Sequence, residues 1–216
     1  RSTYRGRWRE IVNRSAVILK ILTSSEHGSM VAALTFGLPE EIGGIRNWDY
    51  RYTWIRDAAF TVYAFLRLGQ VEEANAFVRW LGERETRCGA DGTLDVMYAI
   101  GGRGGLTETE LPHLRGYRGS VPVRIGNDAE AQLQLDIYGE LMDALYLSDK
   151  YGEQVSWETW LGITRSMEWL AHNWQRPDEG IWEVRGGRRD FLHSRLLCWV
   201  AFDRAIRLAR KRSLPA

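Results

Sequence analysis

The sequence predicts an all-α fold. Apolar residues recur at helical spacing through most of the chain. Strand–helix alternation is not visible, which argues against a Rossmann or TIM architecture. One glycine-rich stretch, residues 86–126, breaks the pattern. About six helices are expected, long ones alternating with loops. No short motif repeats, so a solenoid is disfavoured.

The elements follow in order. Trp8, Ile11, Val12, Ser15, Ile18, Leu19 and Leu22 fall on one helix face. Residues 57–68 are apolar nearly all round, as expected of a helix enclosed by others. Gly69 is placed to end it. Val71, Ala74, Phe77, Val78 and Leu81 stripe an amphipathic partner, and the short Gly69-Gln70 link implies antiparallel neighbours. Residues 86–126 hold Gly101-Gly102-Arg103-Gly104-Gly105 and two prolines, and read as a long loop region with room for short strands. Loops of this length inside a domain are often functional. Asn127 followed by Glu130 resembles a capping box opening a helix that carries Tyr138, Leu141, Met142 and Leu145. Trp157, Trp160, Leu161, Thr164, Met167, Ala171 and Trp174 mark the next helix, which Pro177 and Gly180 stop. A last helix runs from about Phe191 to Arg210. Trp80, Trp169 and Trp199 fit helix stripes and read as core.

Composition bounds the function. The 216 residues carry 29 basic and 28 acidic side chains, a net charge of +1. That balance offers no electrostatic case for nucleic acid or an anionic membrane as partner. No apolar run reaches membrane-span length, and no secretory leader is visible. Two cysteines, Cys88 and Cys198, are too few for a disulfide framework. Cys198, in an apolar run, reads as a buried reduced thiol. The expected compartment is the cytoplasm. His27, His113, His172 and His193 have no ligand spacing with one another or with cysteine, so no metal and no other cofactor is expected. The glycine cluster lacks the Lys-Ser/Thr of a phosphate loop. The basic end of the last helix, Arg204 to Arg212, reads as a solvated face.

Two segments carry chemistry. Gly43 to Asp57 packs four aromatic rings and five charged side chains into one turn. Burying such a turn is costly unless its polar groups find partners. Flat rings beside bidentate hydrogen-bonding groups suit a sugar: Arg56 and Asp57 can hold several hydroxyls of one pyranose while Tyr50 or Trp54 covers its apolar face. Taken alone, Asp57 also reads as a carboxylate complementing a helix N-terminus. The second segment is Gly180-Ile181-Trp182-Glu183-Val184-Arg185. Taken alone, Glu183 reads as a solvated loop residue. With Trp182 and Ile181 against it, its carboxyl would keep a proton near neutral pH, the property a general acid needs.

Both segments resemble glycoside hydrolase family 15, the glucoamylase and bacterial trehalase family. The likeness extends through Tyr117–Asn127 and Gln132–Glu140, covering roughly residues 5 to 212. It implies an (α/α)6 barrel of six inner and six outer helices, of which this chain would be about half. It also implies a preceding β-sandwich domain and a C-terminal half of the barrel outside residues 1–216. The implied reaction is hydrolysis of a terminal α-glucosidic bond with inversion. Tyr50, Trp54, Arg56 and Asp57 would bind the terminal glucose, Glu183 would be the general acid, and Trp182 and Arg185 would line the site. Val184 departs from the acidic residue that fungal members carry after the catalytic Glu, so the Trp-Glu-Val-Arg form looks more like bacterial members.

The expected partner is a small or oligomeric α-glucoside. An inverting enzyme also needs a base, about 6.5–9.5 Å from the acid, and the family places it in the missing half. The chain alone is therefore expected to grip sugar without hydrolysing it. The alternatives are a non-catalytic carbohydrate-binding or assembly module on a helical toroid, and an inverting sugar phosphorylase.

Overall fold

The computed structural model describes residues 2–34, 38–87, 91–102 and 106–215. Cys88 and residues 103–105 of the glycine cluster lie outside them. Six helices are present among the described residues: α1 (Arg9–Leu22), α2 (Arg56–Leu68), α3 (Val71–Arg87), α4 (Asp136–Tyr151), α5 (Trp157–Asn173) and α6 (Leu192–Arg212). Four two-residue strands form two antiparallel ribbons, β1 (Thr53–Trp54) with β2 (Met97–Tyr98), and β3 (Thr109–Glu110) with β4 (Arg124–Ile125). No described helix is long and apolar enough to cross a membrane.

Alternate helices pack side by side. α4 lies between α2 and α6, and α3 packs on both α2 and α5. The result is two rows, α2–α4–α6 and α3–α5, with the core between them. That core holds Val62 and Phe65 of α2, Phe77 and Leu81 of α3, Leu141 and Leu145 of α4, and Ile163 and Leu170 of α5. Tyr138 stacks on Trp169 with centroids 5.2 Å apart. Gly139 allows a close approach of α4 to α6: a Cβ there would lie 2.3 Å from the Leu197 carbonyl oxygen. Gly69 ends α2 in the left-handed conformation, and α3 turns back against α2. Cys198 is buried beside Leu135, and burial pushes its thiol up to about 11, so it is an inert core group.

Several expectations are corrected. α2 is enclosed on one side only, since Phe60 is 74% exposed and Tyr63 48%. The predicted stripe of α1 is buried only in part: Leu19 and Leu22 pack against the core, Trp8, Ile11 and Ile18 are exposed, and Ala16 is the fully buried residue of α1. Trp199 stands in solvent together with Leu192 and Leu196 on one side of α6. These helices pack through other faces, so an apolar surface runs over parts of α1, α2 and α6. The capping box does not form either. Asn127 does cap, accepting from Ala129 N at 3.0 Å, but it caps a single 3-10 turn over Asp128–Ala131. Glu130 turns away to accept from Leu106 N, and α4 starts only at Asp136.

Candidate functional site

The aromatic turn is held from below by Asp49. Its fully buried carboxylate accepts from Arg51 Nε (2.9 Å), Arg51 Nη2 (2.7 Å), Tyr52 Oη (3.0 Å) and Gly126 N (3.2 Å). Burial works to raise its pKa, but the donors from Arg51 and Tyr52 outweigh that and hold it below the usual carboxylate range. Asn47, also buried, donates to the carbonyls of Gly44 and Pro122. The turn leads into β1, whose pairing with β2 and the Ile55 N–H to Val96 O bond pin it to residues 91–102. Trp54 is thereby buried against Val96, Met97, Leu106 and Ala129. Its indole N–H points to the second segment, and the residue lines the cleft.

The second segment is anchored by Asp178. This buried carboxylate accepts from Leu135 N (2.9 Å) and Ser194 Oγ (2.7 Å), tying together the starts of α4 and α6. Gly180 then turns with φ 67°, a conformation glycine adopts without strain. Glu183 follows with φ 52°. A positive φ at a non-glycine residue costs free energy and persists where the surroundings dictate it. Here the surroundings are two donors: Trp54 Nε1 at 2.7 Å and Arg56 Nη2 at 2.8 Å, both to Glu183 Oε1. Residues 129 and 127 positions apart in sequence thus meet in one contact.

Arg56 is the hub. Its Nη1 donates to Gln134 Oε1 at 2.6 Å and lies 3.8 Å from Asp136 Oδ2. Around it opens a cleft of about 1210 Å³, lined by Tyr50, Trp54, Arg56, Asp57, Phe60, Glu140, Trp182, Glu183, Arg185 and His193, among others. Such a volume accommodates a disaccharide, since ligand pockets run about 300–1,000 Å³. A shallower hollow of about 440 Å³ near Leu111 and Pro122 is mostly apolar and holds only Glu110 and Arg124 as charged lining residues.

The predicted site residues fall into two groups. Tyr50, Trp54, Arg56, Asp57 and Glu183 come together. Asp57 sits in the first turn of α2, where a carboxylate complements the helix N-terminus, and it also lines the cleft. Although it opens to solvent there, surrounding protein pushes its carboxyl above the usual range, Glu183 adds to the effect, and Arg56 offsets only part of it. Tyr50 tilts against Trp54 with centroids 6.0 Å apart, and burial followed by the Glu40 and Glu183 charges raises its phenol.

Trp182 and Arg185 stand at the rim. Trp182 is 83% exposed, so the expected apolar cover over Glu183 is absent; the carboxylate meets donors instead. Arg185 pairs with Glu108 (Nη2 to Oε2, 2.8 Å) and lies 4.2 Å from the Trp48 ring centroid. Arg124 shares both partners, 3.0 Å from Glu108 and 5.0 Å from the Trp48 ring centroid. Burial works to raise Glu108, but Arg185 and Arg124 hold its carboxyl below the usual range.

Sequence reasoning missed the floor of the cleft. Asp136 is fully buried on the first turn of α4, and neither of its oxygens has a hydrogen-bond partner. His193 Nδ1, also unpartnered, lies 3.9 Å from Asp136 Oδ2. Burial pushes the Asp136 carboxyl up, Arg56 and His193 counter in part, and Asp178 adds to the rise. Glu140, one helical turn on, is pushed up to about 7 by burial, Asp136 and Asp143. No spacing motif links these residues; only the packing of α2, α4 and α6 does. Among the described residues no cluster suits a metal ion.

Known proteins resemble this chain in sequence and in fold. The chain is 45% identical to a trehalase of Mycobacterium tuberculosis over 208 residues, covering 94% of this chain and 30% of that protein. It is 41% identical to a trehalase of Thermoplasma acidophilum over 215 residues, covering 100% of this chain and 36% of that one. The chain thus spans about a third of the length of these relatives. A solved glycosidase in complex with glucose has the same fold over 96% of this chain and 56% of its own, with a TM-score of 0.62 at 19% identity. The family model for glycosyl hydrolases family 15 matches residues 6–216. The chain belongs to that family.

Proposed function

We propose that this chain carries the sugar grip and the general acid of an inverting α-glucosidase whose substrate is trehalose. Glu183 carries the reading. It is a carboxyl held at positive φ, donated to by Trp54 and Arg56, in a cleft it shares with Asp57. Arg56 and Asp57 grip the terminal glucose by their paired donors and acceptors, and Tyr50 with Trp54 forms the wall against its apolar face. A sugar that takes over the Arg56 donors frees the Glu183 carboxyl to turn toward the glycosidic oxygen. Trp182 and Arg185 meet the leaving group at the rim. Trehalose is favoured because the similar curated proteins are trehalases.

An inverting hydrolase also needs a carboxylate that activates water from the opposite face of the sugar ring. We place it in the part of the (α/α)6 barrel that these longer relatives have beyond this chain. That part would also cover the apolar faces of α1, α2 and α6. The test compares glucose release from trehalose, maltose and isomaltose by the complete protein and its Glu183→Gln variant. Release from trehalose that falls at least about a hundredfold in the variant, with sugar binding kept, is the expected result. A variant as active as wild type sinks the assignment of the acid. Sugar binding with no turnover in either protein favours a binding module, and turnover that requires phosphate favours a phosphorylase.

A further inference from the structure

Glu140 lines the same cleft from α4 and is 8% exposed. Among the described residues none donates a hydrogen bond to its carboxyl. Directly behind it, both oxygens of Asp136 are buried without a partner, and His193 Nδ1 beside them is equally bare. Buried polar groups are ordinarily satisfied. Three buried atoms of two neighbouring residues, both Asp136 oxygens and His193 Nδ1, are not, which marks this floor as arranged for something besides the fold.

We propose that Glu140 is a further sugar-contacting residue, meeting a hydroxyl of the bound sugar from the floor beneath Arg56. The inference rests on the sugar-site reading above. Asp136 cannot play this part, because it is 0% exposed and has no opening to the cleft. Glu140 has one. The charged groups facing it are Arg56 and Asp57 from α2, Asp136 and Asp143 from its own helix, and His193 and Arg204 from α6, the last bound to Asp143. Four carboxyls, Asp57, Asp136, Glu140 and Glu183, share the single guanidinium of Arg56. Burial, with the Asp136 and Asp143 charges next, pushes the Glu140 carboxyl up to about 7, so its acid form is the main one below that pH. A neutral carboxyl offers one O–H donor and a free acceptor. That pair matches a hydroxyl, which also gives and takes one hydrogen bond. Ionised, Glu140 loses its donor and adds a second negative charge beside Asp57.

Calorimetric binding of glucose and trehalose to the complete protein, from pH 5 to 8.5, tests this in wild type, Glu140→Gln, Glu140→Leu and His193→Gln. Melting curves of each variant accompany it. Wild-type affinity is expected to fall about tenfold between pH 6 and 8, as one proton is lost from a group bound in its acid form. Glu140→Gln, which keeps a donor and an acceptor but cannot ionise, flattens that fall. Glu140→Leu loses about tenfold at pH 5.5. His193→Gln keeps the fall, which separates Glu140 from the histidine of this floor. A fall that persists in Glu140→Gln overturns the proposal, as does Glu140→Leu binding as tightly as wild type. If Glu140→Leu does not fold, the pH profile of Glu140→Gln decides alone. Binding is the readout, so a protein that binds sugar but cleaves none removes the hydrolase reading and leaves this one standing. Failure to bind either sugar removes both.

Discussion

The back of the aromatic turn and the floor of the cleft are built from the same residue types and treat charge in opposite ways. At the back, every charge is answered: Asp49 accepts four bonds from the Arg51 and Tyr52 side chains and the Gly126 amide. Glu108 likewise holds Arg124 and Arg185 around the Trp48 ring. Around the floor, four carboxyls compete for Arg56, Glu183 among them, and Asp136 and His193 keep buried atoms without partners. The first arrangement fixes a shape. The second leaves hydrogen-bonding capacity unused at the place where a ligand would use it. The two carboxylates nearest these roles shift in opposite directions, Asp49 down and Glu140 up.

The largest expected effect is on the saturated side. Asp49→Ala leaves Arg51 and Tyr52 without their acceptor and should destabilise the fold by about 3 kcal/mol, read from denaturant midpoints. The pH dependence gives the sign. The folded pKa of Asp49 lies below its unfolded value, so its contribution is complete above about pH 4 and disappears as pH falls through the folded value. Wild type should lose stability in acid more steeply than Asp49→Ala. Equal acid profiles would show that Asp49 does not distinguish the two regions. Next comes Arg56→Lys. An ammonium cannot serve Gln134, Glu183 and a sugar hydroxyl together as the planar fork does. Sugar affinity in the complete protein should drop about a hundredfold, with a smaller change in melting temperature. A stability loss as large as that of Asp49→Ala, with affinity kept, would mean that Arg56 belongs to the structural set instead.

The two regions also differ in how much of them is legible in sequence. The apolar periods place all six helices, because burial of one face writes itself into local spacing. Gly43–Asp57 and Gly180–Arg185 stand out because they concentrate costly side chains over a few positions. Asp49 is in plain view there, but its role as the acceptor that organises the turn needs Gly126 from a distant loop. Asp136, Glu140 and His193 carry no local mark: Asp136 and Glu140 sit one turn apart on an ordinary helix, and His193 opens another. Trp199 shows the same limit in reverse, since a helical stripe says that a face is apolar but not that a neighbour covers it. The Asn127–Glu130 pair misled because Leu106 N competes for the glutamate, a contact 24 residues away in sequence.

Two smaller effects sharpen the contrast. The Glu140 carboxyl is raised from 4.5 to about 7 by folding. A group raised in this way favours the fold below its unfolded pKa, and that contribution is lost as pH climbs toward 7. Glu140→Gln should therefore match wild type near pH 4 and exceed it by up to about 2 kcal/mol at pH 8, the opposite pH trend to Asp49→Ala. A variant no more stable than wild type at pH 8 would mean that the floor tolerates the charge.

The smallest effect belongs to the rim. Arg185 is half-exposed, and Arg124 remains on Glu108 when it is removed. Arg185→Ala should cost less than about 1 kcal/mol of stability, and less still in high salt. Its consequence should fall on the leaving group. The Michaelis constant for trehalose is expected to rise while inhibition by free glucose, gripped by Arg56 and Asp57, stays as it was. Equal loss for both ligands would place Arg185 in the grip itself and erase the boundary between the charge-saturated rim and the unsaturated floor.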